Sequence, residues 1–297
     1  MSGIGVVLNP LSGRNLRDPK AAYRLARTLG DHGVVREARS VDELHRIAED
    51  FKALSIDVLG ISGGDGTNHV TITGFLDVYG PRTLPHLAFL RGGTQNNLAN
   101  SLGIRRGRPE GLLEQLLRAY LQRASQPLAH VERRVMRIGG EGAYHYGFLV
   151  GTGVVCGFLS EYYGDGKVIA SPLVAAAKTL ARGVGSTLVH GEMIKRMAAP
   201  FRGRVLFGDG SSWEERDYLS IAAGTIDRIG LNFRPFYRYA ERDDAFHALG
   251  IYATPFQFVC DLPRIWRAEP MREQRTFEAC TARMVIRSAT GRMQYMI

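Results

Sequence analysis

At 297 residues the chain is long enough for two domains, each with its own core. Its 45% hydrophobic and 23% charged residues are ordinary for a globular protein, and no apolar run is long enough to span a membrane. With 38 Lys and Arg against 29 Asp and Glu, the net charge of +9 favours anionic partners: phosphates, nucleic acid or an acidic membrane face.

The opening "MSGIGVVLNP" carries neither a basic leader nor a small-residue cleavage site, so no secretory signal is expected. Within it, "IGVVLNP" reads as a short buried strand ended by Asn9-Pro10. "RDPKAAYRLARTLGDHG" predicts a helix capped by Asp18, with Pro19 in its first turn and Ala22, Leu25, Ala26 and Leu29 on one face. "VVREAR" is a weaker strand. Ser40 and Glu43 form a capping-box pattern for a second helix, whose apolar face is Leu44, Ile47, Phe51 and Leu54. The strand "IDVLGIS" then delivers the chain to Gly63-Gly64. A helix follows from about Thr67, then the strand "HLAFL", then "RGGTQNNLANSLGI" entering a further helix. Strands and helices in such regular alternation predict an α/β domain around a mostly parallel, doubly wound sheet. Ligands of such sheets bind beyond the carboxyl ends of the strands, where three turns fall: Asn9 to Gly13, Gly63 to Thr67 and Gly92 to Asn97.

After the leucine-rich helix "EGLLEQLLRAYLQRA" the texture changes. Segments such as "YHYGFLV", "GRVLFGDGSSWEERDYLSIAAG" and "ACTARMVIRSATGRMQYMI" predict a mostly antiparallel second domain, with a helical insert near residues 173–197. The expected division is 1–125 and 126–297. Cys156, Cys260 and Cys280 lie far apart and suggest neither a disulfide framework nor a zinc site, which points to a reducing cytosol.

Gly-Asp-Gly occurs at residues 64–66, 164–166 and 208–210. The last lies between two strand-like runs, as a hairpin turn should, and the second follows "EYYG" rather than a buried strand. Only the first joins a strand to a helix, where backbone N–H groups and a helix N-terminus attract phosphate. Aspartate there would repel phosphate unless a cation intervened, so Asp65 is expected to hold or orient Mg²⁺. Gly60-Ile61-Ser62-Gly63-Gly64 also satisfies the G-x-S-x-G nucleophile pattern, which makes a serine hydrolase using Ser62 an alternative; no upstream oxyanion loop accompanies it. The P-loop and G-x-G-x-x-G signatures are absent.

Three segments, "LNPLSGR", "GGDGT" and "GGTQNNLANSLGI", resemble in order and spacing the signature loops of the diacylglycerol kinase catalytic-domain superfamily. "GFLVGTGVVCGF" and "AAGTIDRIGLNFRPFYRYAERDDAFHALGI" are similar to its second-domain segments. The resemblance implies a Rossmann-like nucleotide-binding domain, a β-sandwich-like lipid-substrate domain, and ATP- and Mg²⁺-dependent transfer of the γ-phosphate to a lipid hydroxyl. Nucleotide contacts would map onto Ser40, Gly63, Gly64, Asp65, Gly66, Thr67 and Thr94, with Asn9, Ser12, Gly93 and Asn96 shaping the pocket. Asp65 would be the catalytic carboxylate. A further Mg²⁺ site in "AERDDAF" would use Asp244 and the carbonyls of Glu241 and Phe246, although Ala245 replaces the usual glycine.

Several positions depart from the family pattern. Asn97 stands where aspartate is common, Asn100 where arginine is common, and Val70 where an acid is frequent. The family's acidic motif after a strand resembling "GRMQYMI" lies beyond Ile297, so its C-terminal segment and proposed base are expected to be missing. A non-catalytic nucleotide- or lipid-binding homologue is therefore a second alternative. The expected partners are ATP and a lipid substrate at a membrane surface, without nucleic acid, in a cytoplasmic, peripherally membrane-associated protein that forms a homodimer in many family members. "TPFQFVCDLPRIWRAEPMREQR" interleaves Phe256, Phe258 and Trp266 with Arg264, Arg267, Arg272 and Arg275, a mix suited to an anionic bilayer or to a core-facing strand and a solvated helix. His69, near the first Gly-Asp-Gly, reads as a helix-surface histidine.

Overall fold

The computed structural model describes residues 3–80, 84–94, 96–139, 142–163, 172–188, 191–291 and 293–297. The chain divides into two compact units: Met1–Glu132 with Arg137–Gly147, and Arg133–Met136 with Phe148–Ile297.

In the first unit, β1 (Ile4–Leu8), β2 (Gly33–Glu37), β3 (Val58–Ser62) and β4 (His86–Phe89) form a parallel sheet in the order β2-β1-β3-β4. β1 and β3 are buried at every residue, as strands covered on both faces must be. Ile4, Val6 and Leu8 point to Leu25 and Leu29 of α1 (Ala21–Leu29) and to Leu113 and Tyr120 of α5 (Pro109–Leu121). On the other face lie α2 (Val41–Ala53) and α3 (Asp65–Tyr79), whose Phe51 and Phe75 meet edge to face at 6.0 Å. Glycine at position 5 makes room for that layer, because a Cβ there would stand 2.5 Å from the Phe51 ring. The five-residue α4 (Asn97–Ser101) bridges β4 and α5. A two-stranded sheet of β5 (Met136–Gly139) and β6 (Tyr144–Gly147) follows, and the Tyr146 amide donates to Thr73 Oγ1 of α3 at 2.9 Å.

Local chemistry sets the helix ends. Ser40 caps α2, its Oγ accepting the Glu43 amide at 3.1 Å, while the Glu43 carboxylate accepts the Arg39 amide at 2.7 Å. The expected Asp18 cap is not formed: α1 begins at Ala21, and the Asp18 carboxylate pairs with Arg24. Leu54 ends outside the core at 41% exposure, because the helix has already stopped at Ala53.

After Arg133–Met136 the second unit continues with β7 (Leu149–Thr152), α6 (Val154–Tyr163), a helix not expected from the sequence, and then α7 (Pro172–Leu188) and α8 (Glu192–Met197), the expected helical insert. The chain continues through β8 (Phe201–Phe207), β9 (Ser212–Tyr218), β10 (Ser220–Gly224), β11 (Phe246–Ile251), α9 (Pro255–Trp266), β12 (Thr276–Thr281), β13 (Met284–Ser288) and β14 (Tyr295–Met296). Antiparallel pairing gives a five-stranded sheet, β12-β11-β10-β7-β14, and a three-stranded one, β13-β8-β9. Trp213 on β9 joins the sheets, stacking on Phe277 of β12 at 5.7 Å, so the unit is a β-sandwich. The Gly208–Gly210 copy is the β8–β9 turn, with Asp209 accepting the Ser211 amide and Gly210 at φ +86°. The Gly164–Gly166 copy lies outside the described residues. Among the described residues no helix is long and apolar enough to cross a membrane.

Candidate functional site

A parallel sheet delivers the carboxyl ends of β1, β3 and β4 to one edge, and three loops meet there. The Asn9 amide donates to Ser62 O at 3.1 Å and the Gly93 amide to Gly63 O at 2.8 Å. Side chains complete the knot. Asn9 Nδ2 donates to Thr67 Oγ1 at 3.0 Å, and Ser12 Oγ shares a 3.0 Å hydrogen bond with the same hydroxyl. Asn9, Ser12 and Thr67 therefore come together, as do Gly63, Gly64 and Gly93. Asn96 holds a left-handed backbone (φ 51°) and returns its Nδ2 to Gly93 O at 2.9 Å.

These contacts require glycine for different reasons. A Cβ on Gly93 would lie 2.2 Å from the Cα of Gly64, and one on Gly63 would lie 2.3 Å from Thr67 Cβ. Gly66 differs: nothing stands within 4 Å of the Cβ position, and it occupies the first turn of α3 with an ordinary backbone. Missing bulk at Gly66 is not needed by the fold. It leaves an open approach to the amides of a helix N-terminus, where phosphate binds well.

Asp65 is placed otherwise than its sequence context suggests. Its two carboxylate oxygens accept the amides of Asn97 (2.9 Å) and Leu98 (3.0 Å), so it carries the first turn of α4 from the first turn of α3. Burial raises its pKa above the ordinary 3.8, against the lowering effect of the two amides and of Arg91. Ser40 faces its own helix as a cap, and Thr94 is exposed beside Gly13, whose absent Cβ would meet the threonine methyl at 2.5 Å.

Two residues of the site carry no mark in the sequence. Asn15, 4% exposed, donates from Nδ2 to Asn9 O (2.9 Å) and Ser62 O (2.8 Å), tying the ends of β1 and β3. Arg91, 7% exposed and at φ 55°, donates to Ile104 O (2.9 Å) and to Asn100 Oδ1 (2.5 Å). Burial and then the charges of Arg106 and Arg14 lower its pKa, while Asp65 opposes them. The loops thus lie in a positive field in which one carboxylate answers several guanidinium groups. A buried amide resembles any loop asparagine in sequence.

Ser62 is fully buried, and its Oγ donates to Asn15 Oδ1 at 3.3 Å. With neither histidine nor acid among its hydrogen-bond partners, it does not have the surroundings of a hydrolase nucleophile. His69 is half-buried rather than on the helix surface, its Nδ1 2.8 Å from Tyr146 O, and burial lowers its pKa. In the second unit, the Glu241 carboxylate is bound by Arg238 (2.5 and 2.8 Å) and that of Asp244 by Arg242 (3.1 and 2.8 Å), while Phe246 opens β11 opposite Thr281. The Asp244 carboxylate expected to hold Mg²⁺ is thus paired with Arg242, while the Arg238 pairing of Glu241 involves its side chain and not the carbonyl named as a ligand. Among the described residues no three His, Cys, Asp or Glu side chains group as metal ligands.

Fold and site together define a class: an α/β domain with glycine loops converging at the carboxyl ends of a parallel sheet, followed by an antiparallel sandwich. Residues 3–126 match the diacylglycerol kinase catalytic domain, so the resemblance read from the three loops is borne out. A diacylglycerol kinase from Bacillus anthracis str. Sterne is 14% identical, with a TM-score of 0.65 over 99% of this chain and 89% of that one. A candidate diacylglycerol kinase from the same organism is 15% identical, with a TM-score of 0.66 over 99% and 88%. Another is 17% identical, with a TM-score of 0.65 over 97% and 86%. At these identities the likeness is one of fold. Comparison with curated proteins gives no match.

Proposed function

We propose that the protein is an ATP- and Mg²⁺-dependent lipid kinase, transferring the γ-phosphate to the hydroxyl of a diacylglycerol-type lipid at a membrane surface. The observation that carries this reading is the open cradle at Gly66, set between glycine loops within a domain that matches the diacylglycerol kinase catalytic model. Under it, residues 1–125 bind nucleotide and residues 126–297 serve the lipid. The residues present fit a nucleotide polyphosphate: amides of Gly64 to Thr67 converge at the head of α3, and Arg14 and Arg91 supply positive charge.

Bound ATP·Mg²⁺ supplies the phosphoryl group and neutralises charge on its oxygens. The chain's own contribution is positioning and electrostatics. Asp65 holds the first turn of α4 against that of α3, and its carboxylate would be the group to orient a nucleotide-borne cation. Asn9, Ser12 and Thr67 fix the rim, and Arg91 balances the Asp65 charge. A homodimer and a cytoplasmic, peripherally membrane-bound location belong to the same proposal.

The test is transfer of labelled γ-phosphate from ATP·Mg²⁺ to total lipid extract in mixed micelles, with Gly66→Val as the folded control. A labelled lipid formed by the natural protein and lost in the control is expected. No labelled lipid, with ATP binding intact, would leave a nucleotide-binding homologue without transferase activity.

A further inference from the structure

Helix α9 in the second unit has two faces of different character. Asp261 and Ile265 are buried and Phe258 and Leu262 pack on the core, so one side of the helix is accounted for. On the other side Phe256, Cys260, Pro263 and Trp266 are exposed at intervals of four, three and three residues, with Phe256 and Trp266 each 53% exposed. Such spacing keeps them on one helix face. Beside this stripe runs a groove of about 450 Å³, lined by Leu180 and Val184 of α7, by Phe233, and by Val259, Trp266 and Arg267. A half-exposed tryptophan lining an apolar groove, with a half-exposed phenylalanine further along the same helix face, is a costly thing to leave in water.

The arginines of this segment are unequal. Arg272 and Arg275 are spent on buried Asp261, at 2.5 and 3.2 Å. Arg264 binds Pro270 O at 2.8 Å and lies 3.8 Å from Glu269. Arg267 is exposed, has no ion pair among the described residues, and is the charged group of the groove. An apolar helix face with tryptophan and a spare guanidinium at its edge suits the boundary between lipid headgroups and acyl chains, where the cation meets phosphate. A second copy suits this face less, because a twofold partner would bring its own Arg267 to an edge already positive.

We propose that the outer face of α9 docks on an anionic phospholipid bilayer: Phe256 and Trp266 enter the headgroup boundary, the groove receives an acyl chain, and Arg267 meets a lipid phosphate. This deepens the lipid-kinase reading and takes its purpose from it, but docking is read without catalysis, so the two can fail separately.

The chain has two tryptophans, and the other, Trp213, is 9% exposed between Phe207 and Phe277, so Trp266 reports on this face. The experiment titrates the full chain with vesicles of brominated phosphatidylglycerol and phosphatidylcholine, and with phosphatidylcholine alone. Expected are a blue shift and quenching with the anionic vesicles, weak quenching with the neutral ones, and loss of the response in Trp266→Phe. Phe256→Glu and Arg267→Glu each weaken vesicle binding about tenfold with an unchanged melting temperature and ATP affinity. Equal response to both vesicles, no quenching, or unaltered binding in both charge variants would overturn the proposal. So would lipid-free self-association abolished by Phe256→Glu, which assigns the face to a second copy. Docking retained without any phosphate transfer would count against the kinase and leave the docking surface standing.

Discussion

Asp65 carries two loads at once: it caps α4 with both oxygens and is a partly buried carboxyl group beside the glycine loops. Its raised pKa means that the folded state keeps the proton to higher pH than the unfolded chain. Its contribution to stability is therefore greatest below pH 3.8 and falls as pH rises towards the raised value. Urea denaturation of the natural protein and Asp65→Asn from pH 3.5 to 7 should show that difference shrinking with pH, then levelling; a difference growing with pH would show a lowered pKa instead. The glycines separate by what surrounds them. Gly93→Ala places a methyl on the Gly64 backbone and should cost about 2 kcal/mol or more. Gly66→Ala meets nothing and should change the melting temperature little. Equal melting temperatures for the two variants would contradict this packing. At this scale the sequence was legible where chemistry repeats a local pattern, as at Gly63 to Thr67 and the Ser40 cap. Asn15 and Arg91 escaped, because their partners lie at Ser62 and at Asn100 and Ile104, brought near only by folding.

Among the elements, hydrophobic period placed every strand of the first sheet, since β1 and β3 are continuous apolar runs bounded by turn residues. Helix starts were less legible. Asp18 and Pro19 signal a beginning, yet Asp18 is drawn into an ion pair with Arg24, and α1 starts two residues beyond Pro19. In α9 the sequence shows aromatic and basic residues mixed, while the fold decides their direction: Phe258 inward, Phe256 and Trp266 outward. The helix is begun by Thr254, whose Oγ accepts the Gln257 amide at 3.3 Å while the Gln257 side chain accepts the Thr254 amide at 3.0 Å. Thr254→Ala should lower stability by about 1 kcal/mol in denaturant melts. It should weaken vesicle docking only as far as α9 frays. A variant as stable as the natural protein would show that the cap contributes nothing.

For the whole molecule, the parallel sheet brings the first turns after β1, β3 and β4 to one edge, and the antiparallel sandwich follows as a second unit. Alternation of strand and helix made the first architecture readable, and the change to strand-rich texture after the leucine-rich helix made the second readable. The alternating exchange of chain around residues 133–147 was not, because no composition change marks it. The excess of basic charge acquires a location in Arg14, Arg91 and Arg106 at the loops. The central claim is that the glycine loops of the first unit hold a nucleotide polyphosphate. Titration calorimetry of ATP·Mg²⁺ into the natural protein and Gly66→Val tests it most directly. Saturable binding weakened at least about tenfold by a variant that melts as the natural protein does is the predicted result. Equal affinity in the two proteins, or no binding to either, would contradict it.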